Sequence, residues 1–347
     1  MSLIDVRDLV VEFKTRGSNG SKVFRAIDGV SFTIEPGETV GLVGESGSGK
    51  STIGRAILGL NPVAEGSITF KGDDITRAHA RRRRALAENI QAVFQDPYSS
   101  LDPRRTIEDA LTEPLRAVKR SSRKDAVERV RWLLGTVRLP ANSAERLPSD
   151  FSGGQRQRIA IARSLANSPE LVVCDEAVSA LDVSTQAQVI NLLSQLQSEL
   201  GMSYLFISHD LSIVQYLSQR IVVLYRGRVM ESGPAEQVGT QPLHPYTRAL
   251  LSSAPVSDPA SQKRRRDARR QALVRNEPPS TVGSDQCPFA ARCPLVADVC
   301  WTARPKQVTV DKTTVECHVF DPESGHPGTK QPKAAKVAAT ARPIASS

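Results

Sequence analysis

Gly44-Glu45-Ser46-Gly47-Ser48-Gly49-Lys50-Ser51 lies between an apolar run at residues 40–43 and a stretch with helical apolar spacing at 51–60. A strand before and a helix after are the context this phosphate-loop pattern requires. The glycines let the backbone turn tightly, so consecutive N–H groups point at phosphate oxygens. The following helix adds its positive end. Lys50 supplies a mobile cation for β- and γ-phosphates, and the Ser51 hydroxyl is a ligand for Mg²⁺.

A second stretch, Leu171-Val172-Val173-Cys174-Asp175-Glu176, reads as a buried strand ending in two carboxylates. In a parallel sheet those carboxylates stand beside the phosphate loop. Asp175 would organise the Mg²⁺ shell, and Glu176 would polarise an attacking water as general base. Cys174 reads as a small buried filler.

Around these two stretches strands alternate with helices. Strands are expected at 9–11, 30–34, 171–174 and 204–207, and helices at 126–134, 159–165 and 185–200. The alternation implies an α/β fold with a largely parallel sheet. No internal repeat is found, so a single nucleotide-binding core is expected. Composition changes after about residue 255, and residues 322–347 are rich in Pro, Ala, Lys, Thr and Ser, which predicts disorder.

The 347 residues carry a net charge of +9, which resembles a nucleic-acid footprint until it is located. Four Arg at 81–84 carry +4 and residues 263–270 carry +5, so the rest of the chain is balanced. Such runs read first as solvated loops or tails, then as contacts to an anionic membrane surface, and last as nucleic-acid contacts. No apolar stretch approaches the roughly 18 residues of a membrane-spanning helix, and no secretory signal is apparent, so a soluble chain is expected.

Between the two phosphate-site stretches lies Phe151-Ser152-Gly153-Gly154-Gln155, which resembles the Leu-Ser-Gly-Gly-Gln signature of ABC-type ATPases. Physically it is another helix N-terminus offering Ser152 and the N–H groups of Gly153 and Gly154 to an anion. Other elements follow in the family's order. Gln95 resembles the Q-loop glutamine, which contacts Mg²⁺ or water and faces the membrane partner. Ser179-Ala180-Leu181-Asp182 resembles the D-loop, and His209 the switch histidine at the γ-phosphate. Phe13 sits where the family stacks an aromatic on adenine, with Phe24 as a competing candidate. Ala177-Val178 replaces the usual Pro-Thr after the general base, a change expected to alter rates without abolishing hydrolysis.

The resemblance implies a P-loop NTPase (RecA-like) core with an antiparallel β subdomain and a helical subdomain at about 96–165. It implies an ATPase that binds ATP and Mg²⁺ at 44–52, Thr52 included, with Asp175, Glu176, Gln95 and His209 around the phosphates. Two such subunits close head to tail in the family. Ser152–Gln155 and Asp182 would therefore act on ATP held by a second ATPase, a copy or a paralogue. Closure drives two transmembrane permeases, which places the chain on the cytoplasmic face of the inner membrane; an extracytoplasmic binding protein would be an indirect partner, and no nucleic acid is expected.

Leu243-His244-Pro245-Tyr246-Thr247-Arg248-Ala249-Leu250-Leu251, followed by Pro255, is similar to the C-terminal region of oligopeptide/dipeptide importer ATPases. The expected division is an ATPase domain at 1–240, this region at 241–320 and a tail at 321–347. Cys287, Cys293, Cys300 and Cys317 are spaced C-x5-C-x6-C-x16-C. Without a secretion signal they should stay reduced, and four thiolates could surround a metal centre that staples a small region. The spacing fits neither a common zinc pattern nor a ferredoxin pattern, so zinc, an iron–sulfur cluster and no metal all stay open. The resemblance favours a [4Fe–4S] cluster, which members of this subfamily carry at matching cysteines.

Two other classes compete. A soluble ABC-type ATPase on nucleic acid or ribosomes would use the two basic runs. Repair-type members interrupt the core with coiled coils and ribosomal members carry two cores, and neither is present. A redox regulator built on the cysteines would not need the complete Glu176 and His209 motifs.

Overall fold

The computed structural model of the chain describes residues 1–17, 20–96, 101–118, 123–253 and 285–330. The basic run at 263–270, residues 97–100 of the Q-loop region, Pro255 and the tail beyond 330 lie outside them.

β1 (Ile4–Gly17) and β2 (Gly20–Ile34) form a long antiparallel ribbon. The chain leaves it through β3 (Thr39–Val43) and returns with β4 (Glu65–Phe70) and the short β5 (Asp73–Asp74), giving a sheet of order β2-β1-β4-β5. The second sheet takes β6 (Ile90–Phe94), β7 (Leu171–Asp175), β8 (Ser203–Ser208), β9 (Arg220–Tyr225), β10 (Arg228–Pro234), β11 (Gln307–Val310) and β12 (Thr313–Glu316). Its order is β11-β12-β10-β9-β3-β8-β7-β6, and β9 through β6 run parallel.

Every residue of β3, β7 and β8 is buried, which is why these strands read as unbroken apolar runs. Leu42 and Val173 face a core shared with Ile53, Ile57 and the ribbon residues Ile4 and Ile27. Val43 and Val172 face the other core, with Ile161, Leu192 and Leu193. The carboxyl ends of four parallel strands therefore emerge side by side, leading into Gly44, Gln95, Glu176 and His209. A crevice at such strand ends is where open α/β sheets bind ligands.

Helices Ile107–Val118, Arg123–Thr136 and Gly153–Ser164 build the expected helical region. Leu111, Leu115, Val130, Leu133 and Leu134 are buried at three- and four-residue spacing, each burial stabilising by about 1.5–3 kcal/mol.

Three features depart from expectation. The C-terminal region is not simply appended, because β12 pairs with β10 and continues the central sheet. Residues 322–330, expected in the disordered tail, pack against the cysteine-bearing segment: His326 is buried, with Nε2 bonded to Leu295 O at 2.8 Å. The run at 81–84 is not wholly a solvated face, since half-buried Arg83 donates to the carbonyls of Ile57 and Ile75. Among the described residues no helix is long and apolar enough to cross a membrane.

Candidate functional site

The glycine-rich loop closes over its own lysine. Lys50 is buried, and Nζ donates to Gly44 O at 2.8 Å and Glu45 O at 2.9 Å. Burial pulls its pKa below the ordinary lysine value, opposed by the charges of Glu176, Asp175 and Glu45. Helix Lys50–Ile57 begins at Gly49, whose φ of 103° favours glycine, and no side chain caps it. Its first N–H groups are thus left for a ligand. Ser48 is buried, Ser46 is exposed, and Gly47 also has positive φ. The Thr52 carbonyl accepts from Asn61 Nδ2 at 3.4 Å.

Ser51 Oγ donates to Asp175 Oδ1 at 2.7 Å, joining the loop to β7. Burial raises the Asp175 pKa, with the Ser51 bond and the Arg55 charge opposing. Glu176 follows in the left-handed region, with φ of 51°, a conformation uncommon outside glycine. Its N–H bonds Ile207 O at 3.0 Å, and its carboxylate stands 3.8 Å from His209 Nδ1. Ala177 and Val178, the unusual pair, are buried in the core. Gln95 is exposed just beyond Phe94, which pairs with Asp175 across β6 and β7.

Ser152 caps helix Gly153–Ser164 in a reciprocal box, its N–H donating to Gln155 Oε1 at 3.0 Å and its Oγ accepting from Gln155 N–H at 3.3 Å. A Cβ on Gly154 would collide with Thr185, so glycine permits the close approach. Thr185 in turn is bonded to Asp182, the N-cap of helix Val183–Leu200. Hydrogen bonds from Ser184 and Thr185 hold the Asp182 carboxyl below the usual range. Two groups of residues result: the loop with Asp175, Glu176 and His209, and the Ser152–Gln155 turn with Asp182.

Phe13 and Phe24 are direct cross-strand partners, both exposed. The sequence treats them as competitors, whereas the register makes them neighbours on one face.

The five cysteines are free thiols. Burial pushes Cys287 and Cys293 up to about 12 and Cys317 up to about 11, and raises Cys300. Thiolate charge on the other three would raise Cys287 further, and Cys287 N–H bonds Cys300 O at 3.0 Å. Among the described residues, however, no three His, Cys, Asp or Glu side chains are placed to hold a metal ion. His318, beside Cys317, turns its Nε2 to Ala303 O at 3.0 Å.

Sequence reasoning missed two contacts onto the glycine-rich loop. Glu45 N–H donates to Tyr246 Oη at 2.9 Å, and Arg292 forks onto the Glu45 carboxylate. Tyr246 stands in the stretch that resembles importer ATPases and Arg292 lies beside Cys293, but neither position signals a contact with Glu45.

Comparison with known proteins agrees with this geometry. The ABC transporter family matches residues 27–179, and the oligopeptide/dipeptide transporter C-terminal region matches 230–300. A peptide import ATP-binding protein of Brucella abortus (strain 2308) is 46% identical over 323 residues, covering 92% of this chain and 94% of that protein. The oligopeptide transport ATP-binding protein AppF of Bacillus subtilis (strain 168) is 44% identical over 325 residues, covering 92% and 98%. Among solved structures, the dimeric ATP-binding cassette MJ0796 with ADP and Pi is 28% identical, with a TM-score of 0.60 over 67% of this chain and 98% of that one. The cbiO1 structure from Clostridium perfringens, part of an ABC transporter complex, is 27% identical with a TM-score of 0.59, covering 68% and 90%. The chain belongs to the ABC transporter ATPases, in the branch that carries the oligopeptide/dipeptide transporter C-terminal region.

Proposed function

We propose that this chain is the ATP-hydrolysing subunit of a peptide importer, working at the cytoplasmic face of the inner membrane. The observation that carries it is the Ser51–Asp175 hydrogen bond beneath a loop that already encloses Lys50. These groups hold the polyphosphate: loop N–H groups and Lys50 Nζ bind its oxygens, Nζ exchanging its two carbonyl partners for phosphate. Phe13, backed by Phe24, offers a stacking surface to adenine. Ser51, Asp175 and Gln95 would hold Mg²⁺, which when bound supplies positive charge to the phosphate oxygens. Glu176 takes the proton of the attacking water, and His209 orients the γ-phosphate.

Ser152, Gly153, Gly154, Gln155 and Asp182 act on ATP held by a second ATPase subunit. Exposed Ser152 and Gln155 suit that role, because their box satisfies the helix end internally while leaving a face to solvent. For the two permeases we assign a cleft of about 620 Å³ between β6 and the helical region, lined by Phe94, Pro114 and Ala160 and adjoining Gln95. Its mixed lining, apolar side chains with Arg83, Glu113 and Arg163 among them, suits an amphipathic permease segment, and the adjacent Gln95 links that segment to the nucleotide. A binding protein outside the membrane would deliver peptide to the permeases. On this reading residues 1–240 are the ATPase domain and the C-terminal region modulates it.

Cys287, Cys293, Cys300 and Cys317 fit a single zinc ion poorly, since tetrahedral ligation draws all four sulfurs within about 2.3 Å of one ion. An iron–sulfur cluster takes one thiolate per iron and accepts a wider set. We assign the thiols to such a cluster, which when bound would staple the segment. Metal entry must displace the thiol protons that burial favours.

Purification of the chain from native membranes, with mass spectrometry of partners and a visible spectrum of the eluate, tests the reading. Two permeases, a second ATPase and absorbance near about 400 nm from sulfur-to-iron charge transfer are expected. Nucleic acid without permeases would overturn the transporter, and a colourless protein containing zinc would overturn the cluster.

A further inference from the structure

Among the described residues, Tyr246, Lys50 and Arg292 each hold a different group of Glu45. Its N–H donates to Tyr246 Oη at 2.9 Å, and its carbonyl accepts from Lys50 Nζ at 2.9 Å. Its carboxylate receives a parallel fork from Arg292, Nη1 to Oε2 and Nη2 to Oε1, both at 2.8 Å. Arg292 stands 247 residues away, in the turn between Cys287 and Cys293.

The fork has a built base. Tyr225, Tyr246 and Phe289 pack with ring centroids 4.6 to 5.4 Å apart. The Arg292 guanidinium lies 5.8 Å from the Tyr225 ring centroid and 5.7 Å from that of Phe289. Phe289 and Arg292 belong to the cysteine-bearing segment, whereas Tyr225 ends β9 of the central sheet.

Glu45 places a negative charge in the loop whose backbone must receive polyphosphate. Left alone, that carboxylate repels the ligand, and a loop free to swing loses the alignment of its N–H groups. A two-point guanidinium fork cancels the charge and fixes its direction, which a lysine ammonium cannot do equally well.

We infer that Arg292 is a positioning residue for the nucleotide site, acting through Glu45 to neutralise and orient the phosphate loop. The inference rests on reading 44–51 as the ATP site. Because coupling is reciprocal, whatever orders the Cys287–Cys293 turn tightens ATP binding, and ATP in turn orders that turn.

The test is equilibrium MgATP binding to the purified full-length chain, with turnover measured in the assembled transporter. Arg292→Ala should weaken MgATP binding by about fivefold, a half-exposed charge-assisted fork being lost, while turnover at saturating ATP holds. Arg292→Lys should fall between the two. The Glu45→Gln, Arg292→Ala double variant should bind MgATP more tightly than Arg292→Ala alone, because the charge that needed a partner is gone. Unchanged affinity in Arg292→Ala overturns the inference, as does lower turnover at unchanged affinity, the mark of a purely structural role. A double variant no better than Arg292→Ala also overturns it. A wild-type chain that fails to bind MgATP would instead sink the nucleotide-site reading, and this role with it.

Discussion

Ser51 Oγ donates to Asp175 Oδ1 at 2.7 Å, bringing together two residues 124 positions apart in sequence. The bond links the first turn of the helix after the loop to the carboxylate that ends β7. Helix Lys50–Ile57 and β7 are thereby joined, a preorganisation that lowers the ordering cost of binding.

Replacing Ser51 with Ala removes one oxygen from this pair and leaves the buried Asp175 without its donor. Mg²⁺-dependent ATP binding should weaken by about tenfold or more, the value of one hydrogen bond to a charged group. Calorimetric titration of ATP with and without Mg²⁺ checks this. The Mg²⁺-dependent increment should shrink, with the metal-free affinity nearly unchanged.

Lys50 gives a prediction of opposite sign for stability and affinity. Its pKa is pulled below 10.5 by burial, so the folded chain disfavours its charge. The unfolded chain binds the proton more readily, which makes the penalty complete at neutral pH and relieved as pH rises toward 10.5. Lys50→Met should therefore leave the empty protein at least as stable in thermal melts. MgATP should stabilise the wild type on melting and should hardly stabilise the variant.

His244 sets an acid limb. It is buried, and its Nδ1 accepts from Tyr246 N–H at 3.0 Å, a bond available only to the unprotonated ring. Burial first, and the Arg248 charge second, pull its pKa from 6.5 to about 3. The unfolded chain then binds the extra proton between these values. Stability contributed by the neutral ring is present above pH 6.5 and is lost as pH falls toward 3, by up to about 1.4 kcal/mol per pH unit. Denaturant melts from pH 7 to 5 should show that slope, and His244→Asn, which keeps an acceptor without titrating, should flatten it.

Much of this architecture was legible because it is local. The runs at 171–174 and 204–207 are apolar throughout, as strands covered on both faces must be, and they became β7 and β8. Ser152 and the two glycines after it announced a helix start, and the structure adds a capping box between Ser152 and Gln155. What stayed hidden depends on register and on long-range pairing. Nothing in 307–316 says that β12 will extend the central sheet beside β10, because a short polar hairpin fits many edges. Phe13 and Phe24 became partners through a register that includes bulges after Val6, Leu9 and Val11, which no alternation pattern specifies. Arg292 and Glu45 are each ordinary charged residues, and only the packing of Phe289 against Tyr225 brings them together.

The most direct test of the central claim is ATP-driven peptide uptake into vesicles carrying the assembled transporter, wild type against Glu176→Gln. The Glu176 carboxylate stands 3.8 Å from His209 Nδ1 at the strand ends. The wild type should hydrolyse ATP and accumulate labelled peptide. The variant should bind MgATP with similar affinity, lose hydrolysis by about a hundredfold or more, stop uptake, and hold the two ATPase subunits in a closed pair. Normal hydrolysis and uptake in the variant would contradict the account.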